Sequence, residues 1–241
     1  MQEPSIGSLW PDRPRGIILA ADVSDLSLFV DLVSLASENT VVLAVKIGFS
    51  LALRYSLPRV VDVVRERTSL SVIYDHQKAG TDIPGTGELF MSACRDAGID
   101  AVILFPQAGP RTLESWVTQA RKFALIPIVG ITMTHEAYLA SEGGYIDDNA
   151  PAAICETSLR IGIKDFVLPG TKPHVVARYS TGPLRHVQNV SILMPGIGSQ
   201  GGEILAALAA AHPHRRYAII GSAIYSAPDP KTALSTFARS I

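Results

Sequence analysis

Eight short, continuously apolar runs punctuate the chain, at residues 16–20, 41–45, 70–74, 101–105, 126–131, 165–168, 191–194 and 217–220. Between them lie stretches with apolar residues at helical spacing, at 26–38, 58–67, 88–97, 111–123, 151–161, 174–179 and 202–210. The runs do not alternate with polar residues, which is the pattern of strands covered on both faces, as in a parallel sheet flanked by helices. Strand and helix alternate over a length that one closed barrel accommodates. The pattern therefore predicts an α/β fold, a (β/α)8 TIM barrel forming a single domain over residues 1–241, with a doubly wound open sheet as the alternative. Residues 229–240 are expected as a closing helix and residues 1–15 as an arm or short helix across the barrel bottom.

Composition narrows the function. The 241 residues are 47 % hydrophobic and 18 % charged, enough for one large core. A formal charge of −1 offers no basic field to nucleic acid, and no local Lys/Arg cluster supplies one. No apolar run approaches the roughly 18 residues needed to cross a bilayer, and the polar, Pro-bearing start does not read as a signal peptide. The expected location is the cytoplasm, with no membrane partner. Cys94 and Cys155 lack metal-ligand spacing and read as small core residues.

If the barrel is right, residues just after each run share one rim, and the polar residues there converge. They are Asp22 after the first run, Lys46 after the second, 75–82 after the third, Gln107 after the fourth, 132–135 after the fifth, and 195–202 and 221–222 after the last two. Segment 75–82 carries Asp75, Lys78 and Asp82 directly behind an apolar run. A solvated turn is the ordinary explanation for such a loop. Charges leaving water cost several kcal/mol each unless paired, so their company at a strand end points instead to mutual neutralisation or a charged ligand. Lys46 is apolar on both sides and needs a carboxylate; Asp22 and Asp75 are the nearest by strand order. An internal salt bridge that merely fills the barrel mouth is the structural alternative.

Segment 195–202 holds four glycines, at 196, 198, 201 and 202, ahead of a helical stretch. Glycines let the backbone approach a ligand and turn its N–H groups inward, and a helix N-terminus favours an anion. The loops after strands seven and eight are the usual phosphate site of such barrels.

Together these residues resemble the orotidine 5′-monophosphate decarboxylase family, from Ala21-Asp22 to Gly221-Ser222-Ala223-Ile224-Tyr225. The motifs are Asp22; Lys46 within Val45-Lys46-Ile47-Gly48; Asp75 with Lys78 and Asp82-Ile83-Pro84-Gly85-Thr86; Met133-Thr134-His135; and the glycine segment from Pro195. The resemblance implies cofactor-independent conversion of orotidine 5′-monophosphate to uridine 5′-monophosphate, in pyrimidine biosynthesis. It implies that Lys78 protonates C6 while Asp75 and Asp82 keep it charged and aimed and Lys46 balances the excess negative charge. Asp22 would bind the ribose and Thr134, beside Met133, the pyrimidine edge. Pro195, Gly198, Gln200, Gly201, Gly202, Gly221 and Ser222 would surround the phosphate. It further implies a homodimer in which Asp82, with Ile83 and Thr86, crosses into the partner's site.

Two departures stand out. The family spacing Asp-x-Lys-x-x-Asp is lengthened here to Asp75-x-x-Lys78-x-x-x-Asp82, so a bulge or early turn, with Gly80 as a source of freedom, must restore the direction of Lys78. Where the family has a phosphate-gripping Arg after strand eight, this chain has Ser222, leaving amide donors or another cation such as Arg185 or Lys172. The alternatives are a magnesium-dependent sugar-phosphate decarboxylase or aldolase on a related barrel, a non-catalytic nucleotide-binding barrel, or an unrelated barrel sharing the motifs by coincidence. His76 and His135 read as hydrogen-bonded loop residues rather than bases. Thr134 also reads as a possible helix cap, whereas Ser24 or Asp25 is better placed than Asp22 to cap the 26–38 helix.

Overall fold

The computed structural model describes residues 9–10, 12–77, 82–198 and 203–241. Most of the expected N-terminal arm, Lys78, Gly80 and the glycine-loop residues Gln200, Gly201 and Gly202 lie outside the described residues. Eight parallel strands close into a barrel in sequence order: β1 (Arg15–Ala21), β2 (Val42–Gly48), β3 (Ser71–Asp75), β4 (Ala101–Leu104), β5 (Ile126–Gly130), β6 (Asp165–Val167), β7 (Ser191–Met194) and β8 (Arg215–Ile220). The outer layer is built from α1 (Leu26–Ser37), α2 (Phe49–Tyr55), α3 (Leu57–Arg65), α4 (Gly87–Asp96), α5 (Pro110–Lys122), α6 (Ala150–Arg160), α7 (Pro173–Thr181) and α8 (Ile204–Ala210). The short α9 (Ser222–Tyr225) and the closing α10 (Pro230–Ala238) complete it. The open-sheet alternative is excluded because β1 pairs with both β2 and β8.

The two-faced burial that made the runs continuously apolar is visible in the core. Ile17, Leu19 and Ala21 of β1, Val45 and Ile47 of β2, and Val72 and Tyr74 of β3 pack outward against the helices. Ile18 and Ala20, Ala44 and Ile73 belong to a second cluster that fills the barrel interior. Because side chains alternate along a strand, Lys46 shares the interior face with Ala44, and Asp75 shares it with Ile73. At the bottom, Trp10 stacks on Tyr217 with centroids 4.3 Å apart and donates from Nε1 to Asp165 Oδ1 at 2.6 Å.

Some elements differ from the sequence reading. Strand β2 runs on to Gly48, so Lys46 lies within the strand rather than after it. Residues 49–55 form the unanticipated α2; Ser56, with φ of 66°, turns the chain into α3, whose Pro58 suits a first turn. Asp25 caps α1 by accepting from Leu28 N, and Asp229 caps α10 from Lys231 N at 3.0 Å, so Asp22 is free of a capping role.

Candidate active site

A cavity of about 250 Å³ opens at the C-terminal end of the strands. Its floor is apolar, from Ala20, Ile103, Phe105, Val167 and Ile219. On one side stands a charged triad. Lys46 Nζ lies 2.9 Å from Asp22 Oδ1 and 3.2 Å from Asp75 Oδ2, with side-chain exposures of 5 % for Lys46, 33 % for Asp22 and 14 % for Asp75. Barrel register brings them together: Ala20 pairs with Lys46, and Gly48 with Asp75. Burial alone would push the Lys46 ammonium down, but the charges and hydrogen bonds of Asp75 and Asp22 outweigh it and hold its pKa above the ordinary lysine value. Lys46 is therefore a permanent cation at neutral pH. Gly48 makes room for the triad, since a Cβ there would sit 2.4 Å from Asp22 Oδ1.

The chain leaves β3 by an early turn. Asp75 Oδ1 accepts from Gln77 N at 2.9 Å, and Gln77 takes a left-handed φ of 49°. Gln77 Oε1 in turn accepts from Phe49 N at 3.4 Å, tying the turn to the start of α2. The backbone thus breaks from strand direction at Gln77.

Facing the triad stand Thr132, Met133 and Thr134 after β5 and Pro195, Gly196 and Ile197 after β7, while Gly221, Ser222 and Tyr225 after β8 lie beside Asp22, since β8 pairs with β1. Thr134 caps no helix, for the next helical element is a 3₁₀ turn at Ala140–Glu142. Tyr225 hydrogen-bonds with Ser222; burial and the nearby Asp22 charge push its phenol pKa up, so it stays a protonated donor. From the sequence, 195–202 and 221–225 contain no Lys, Arg or His, so these two loops themselves offer an anion only neutral donors.

Several expected site residues stand elsewhere. Gly198, at φ of 85°, is absent from the lining; a Cβ there would lie 2.6 Å from Ala223 Cβ, so this glycine lets the β7 loop pack against α9. Asp82, Ile83 and Thr86 also lie off the cavity, on an exposed to half-exposed segment ahead of α4. Neither substitute cation lines the cavity: Lys172, after β6, pairs with Glu142 Oε1 at 3.1 Å, and Arg185 sits in the connection from α7 into β7, at the barrel's opposite end. His76 Nδ1 lies 2.5 Å from Tyr74 Oη, and His135 meets the Tyr138 ring edge-on at 5.7 Å, so both are loop residues with partners. The sequence reading did not single out Gln77, Tyr225 or the interior apolar floor. Only Tyr225, one helical turn beyond Ser222, carried a local signal; the floor residues are defined by strand register.

The sequence pattern of the Orotidine 5′-phosphate decarboxylase / HUMPS family matches residues 15–237. The chain is 29 % identical to orotidine 5′-phosphate decarboxylase from Methanosarcina mazei over 233 residues, covering 95 % of this chain and 96 % of that protein. It is 29 % identical to the one from Pyrococcus abyssi over 219 residues, covering 90 % and 94 %. Among solved structures, orotidine 5′-monophosphate decarboxylase from Methanocaldococcus jannaschii complexed with inhibitor BMP superposes with a TM-score of 0.79 at 22 % identity, covering 94 % of this chain and 98 % of that one. The Pyrococcus horikoshii OT3 enzyme gives 0.75 at 25 % identity, covering 93 % and 99 %.

Proposed function

Because this chain belongs to the Orotidine 5′-phosphate decarboxylase / HUMPS family, we propose that it decarboxylates orotidine 5′-monophosphate to uridine 5′-monophosphate in pyrimidine biosynthesis. The observation that carries this reading is the buried Lys46 held between Asp22 and Asp75 at the mouth of the barrel. The C6–carboxylate bond breaks, its electron pair stays on C6, carbon dioxide leaves, and the ammonium of Lys78 transfers a proton to C6; solvent then reprotonates Lys78. No π system takes up the developing charge directly, so catalysis rests on prearranged cations. Lys46 offsets the repulsion between Asp75 and Asp22, which allows Asp75 to stand beside Lys78 and keep it protonated. Asp22 receives the ribose hydroxyls, Thr134 and Met133 line the base, and the phosphate lies against Pro195, Gln200, Gly201, Gly202, Gly221 and Ser222.

Asp82, Ile83 and Thr86 serve the second subunit of a homodimer. In support, Asp82 and Ile83 project into solvent from their own barrel, Ile83 with 64 % of its surface exposed. No helix among the described residues is long and apolar enough to cross a membrane; the reading assigns the reaction to the cytoplasm and requires no cofactor.

The test is loss of the pyrimidine carboxylate absorbance on adding orotidine 5′-monophosphate in EDTA, beside Lys78→Ala. Decay that disappears in the variant supports both the reaction and its proton donor. Turnover that appears only with added magnesium, on a sugar phosphate, would transfer the site to the metal-dependent reading that the lengthened Asp75-to-Asp82 spacing leaves open.

A further inference from the structure

Segment 82–84 turns its carbonyls toward α5. Thr112 Oγ1 donates to the Asp82 carbonyl at 2.9 Å, Trp116 Nε1 to the Ile83 carbonyl at 3.1 Å, and Ser115 Oγ to the Pro84 carbonyl at 2.8 Å. Three consecutive carbonyls are thus taken by residues at i, i+3 and i+4 of one helix, which stand on one face. Serine and threonine inside helices commonly turn back on the carbonyl four residues earlier, as Thr118 of the same helix does on Glu114 at 2.8 Å. Thr112 and Ser115 reach across to the loop instead. Thr112 and Trp116 are buried, so their donors would be stranded without these acceptors. Gly87 leaves room for the arrangement: a Cβ there would meet the Trp116 ring at 2.9 Å.

With these carbonyls committed to α5, the Asp82 and Ile83 side chains are exposed, and Asp82 Oδ1 accepts from Ile83 N at 2.7 Å, which fixes the carboxylate at the surface of its own barrel. A charged residue that must reach a neighbouring site gains from such fixing, because a misplacement of about 1 Å costs on the order of a hundredfold in rate. We infer that Thr112, Ser115 and Trp116 are positioning residues that hold 82–84 so that Asp82 projects off the rim toward the site of a second copy. The inference rests on the decarboxylase reading above.

The experiment compares the full-length wild type, the Thr112→Val/Ser115→Ala double variant and Trp116→Phe, each alone and combined with Asp82→Asn. The readouts are kcat, KM, melting temperature and amide hydrogen exchange over residues 83–86. The double variant is expected to lose about tenfold in kcat with KM within about twofold, to exchange faster at 83–86, and to cost nothing further once Asp82 is Asn. Retained kcat, or a loss that multiplies with that of Asp82→Asn, overturns the inference. If the double variant fails to fold, Trp116→Phe carries the same comparison. A wild type that turns over no orotidine 5′-monophosphate overturns the decarboxylase reading instead, and unchanged exchange in the variants then overturns the holding of the segment independently.

Discussion

Replacing Lys46 with Met keeps most of the side-chain stem and removes the charge. The Lys46 side chain is 5 % exposed and its ammonium contacts two carboxylates, at 2.9 and 3.2 Å. At an effective dielectric near 20 a pair at about 4 Å is worth about 4 kcal/mol before desolvation, and burial of the ammonium cancels much of the sum. Removing one member of a buried pair costs about 3–5 kcal/mol, because the remaining charges lose their counter-ion. Asp22 is one-third exposed, so water compensates part of its loss and the lower end of that range applies. That cost falls on the fold; the displaced carboxylates also lower kcat/KM, by about a hundredfold for a misplacement of about 1 Å. The same repulsion destabilises the fold, by about 2–4 °C in melting temperature per kcal/mol for a chain of this size.

The salt dependence separates this cause from a packing defect. In the wild type the raised Lys46 pKa contributes stability that is fully present below the ordinary lysine value and is lost only as pH rises through the higher folded value, so nothing changes between pH 5 and 8 on its account. In Lys46→Met, two carboxylates face each other without the cation, and added salt screens their repulsion. The melting-temperature gap to wild type should therefore narrow between about 0.05 and about 0.5 M salt. Steady-state decarboxylation with melts across that range measures both effects. A kcat/KM within about threefold of wild type, or a gap that ignores salt, refutes the electrostatic account.

Gly48→Ala should push Asp22 off Lys46, since the new Cβ would lie 2.4 Å from Asp22 Oδ1; kcat/KM is expected to fall by about tenfold or more, and an unchanged value removes Asp22 from the site. Ser222→Arg should tighten uridine 5′-monophosphate by about tenfold and steepen the salt dependence of its affinity, because it places a cation where the sequence has only neutral donors. Calorimetric titration at low and high salt tests this, and an unaltered affinity locates the phosphate elsewhere. At the barrel bottom, burial pushes the Asp165 carboxyl pKa up against the hydrogen bond from Trp10. A raised carboxyl favours the fold below its unfolded value near 4 and loses that contribution as pH rises through the folded value. Asp165→Asn keeps an acceptor for Trp10 and should therefore melt about 2 °C higher than wild type at pH 7, with the difference fading toward pH 4; a lower melting temperature at pH 7 would mean that the charge is needed by Arg215.

Local pattern carried a large part of this protein. Continuous apolar runs encode strands buried on both faces, and their alternation with helical spacing was enough for the barrel, because burial of each face is written residue by residue. A lysine inside such a run demanded carboxylates, and strand order pointed to Asp22 and Asp75, which is the triad observed. What the chain alone left open depends on closure and on backbone direction. The left-handed turn at Gln77 has no signature in Asp75-His76-Gln77, since nothing in those residues requires a positive φ. Arg185 was a plausible phosphate cation by charge and is placed at the wrong end because it precedes a strand rather than following one. Tyr225 joins the cavity only because α9 brings it back toward Ser222 and Asp22. The donors on α5 are ordinary helix residues in sequence; they acquire carbonyl partners some thirty residues upstream only when α4 and α5 pack side by side, since short-range periodicity records which face is buried but not which distant backbone lies against it.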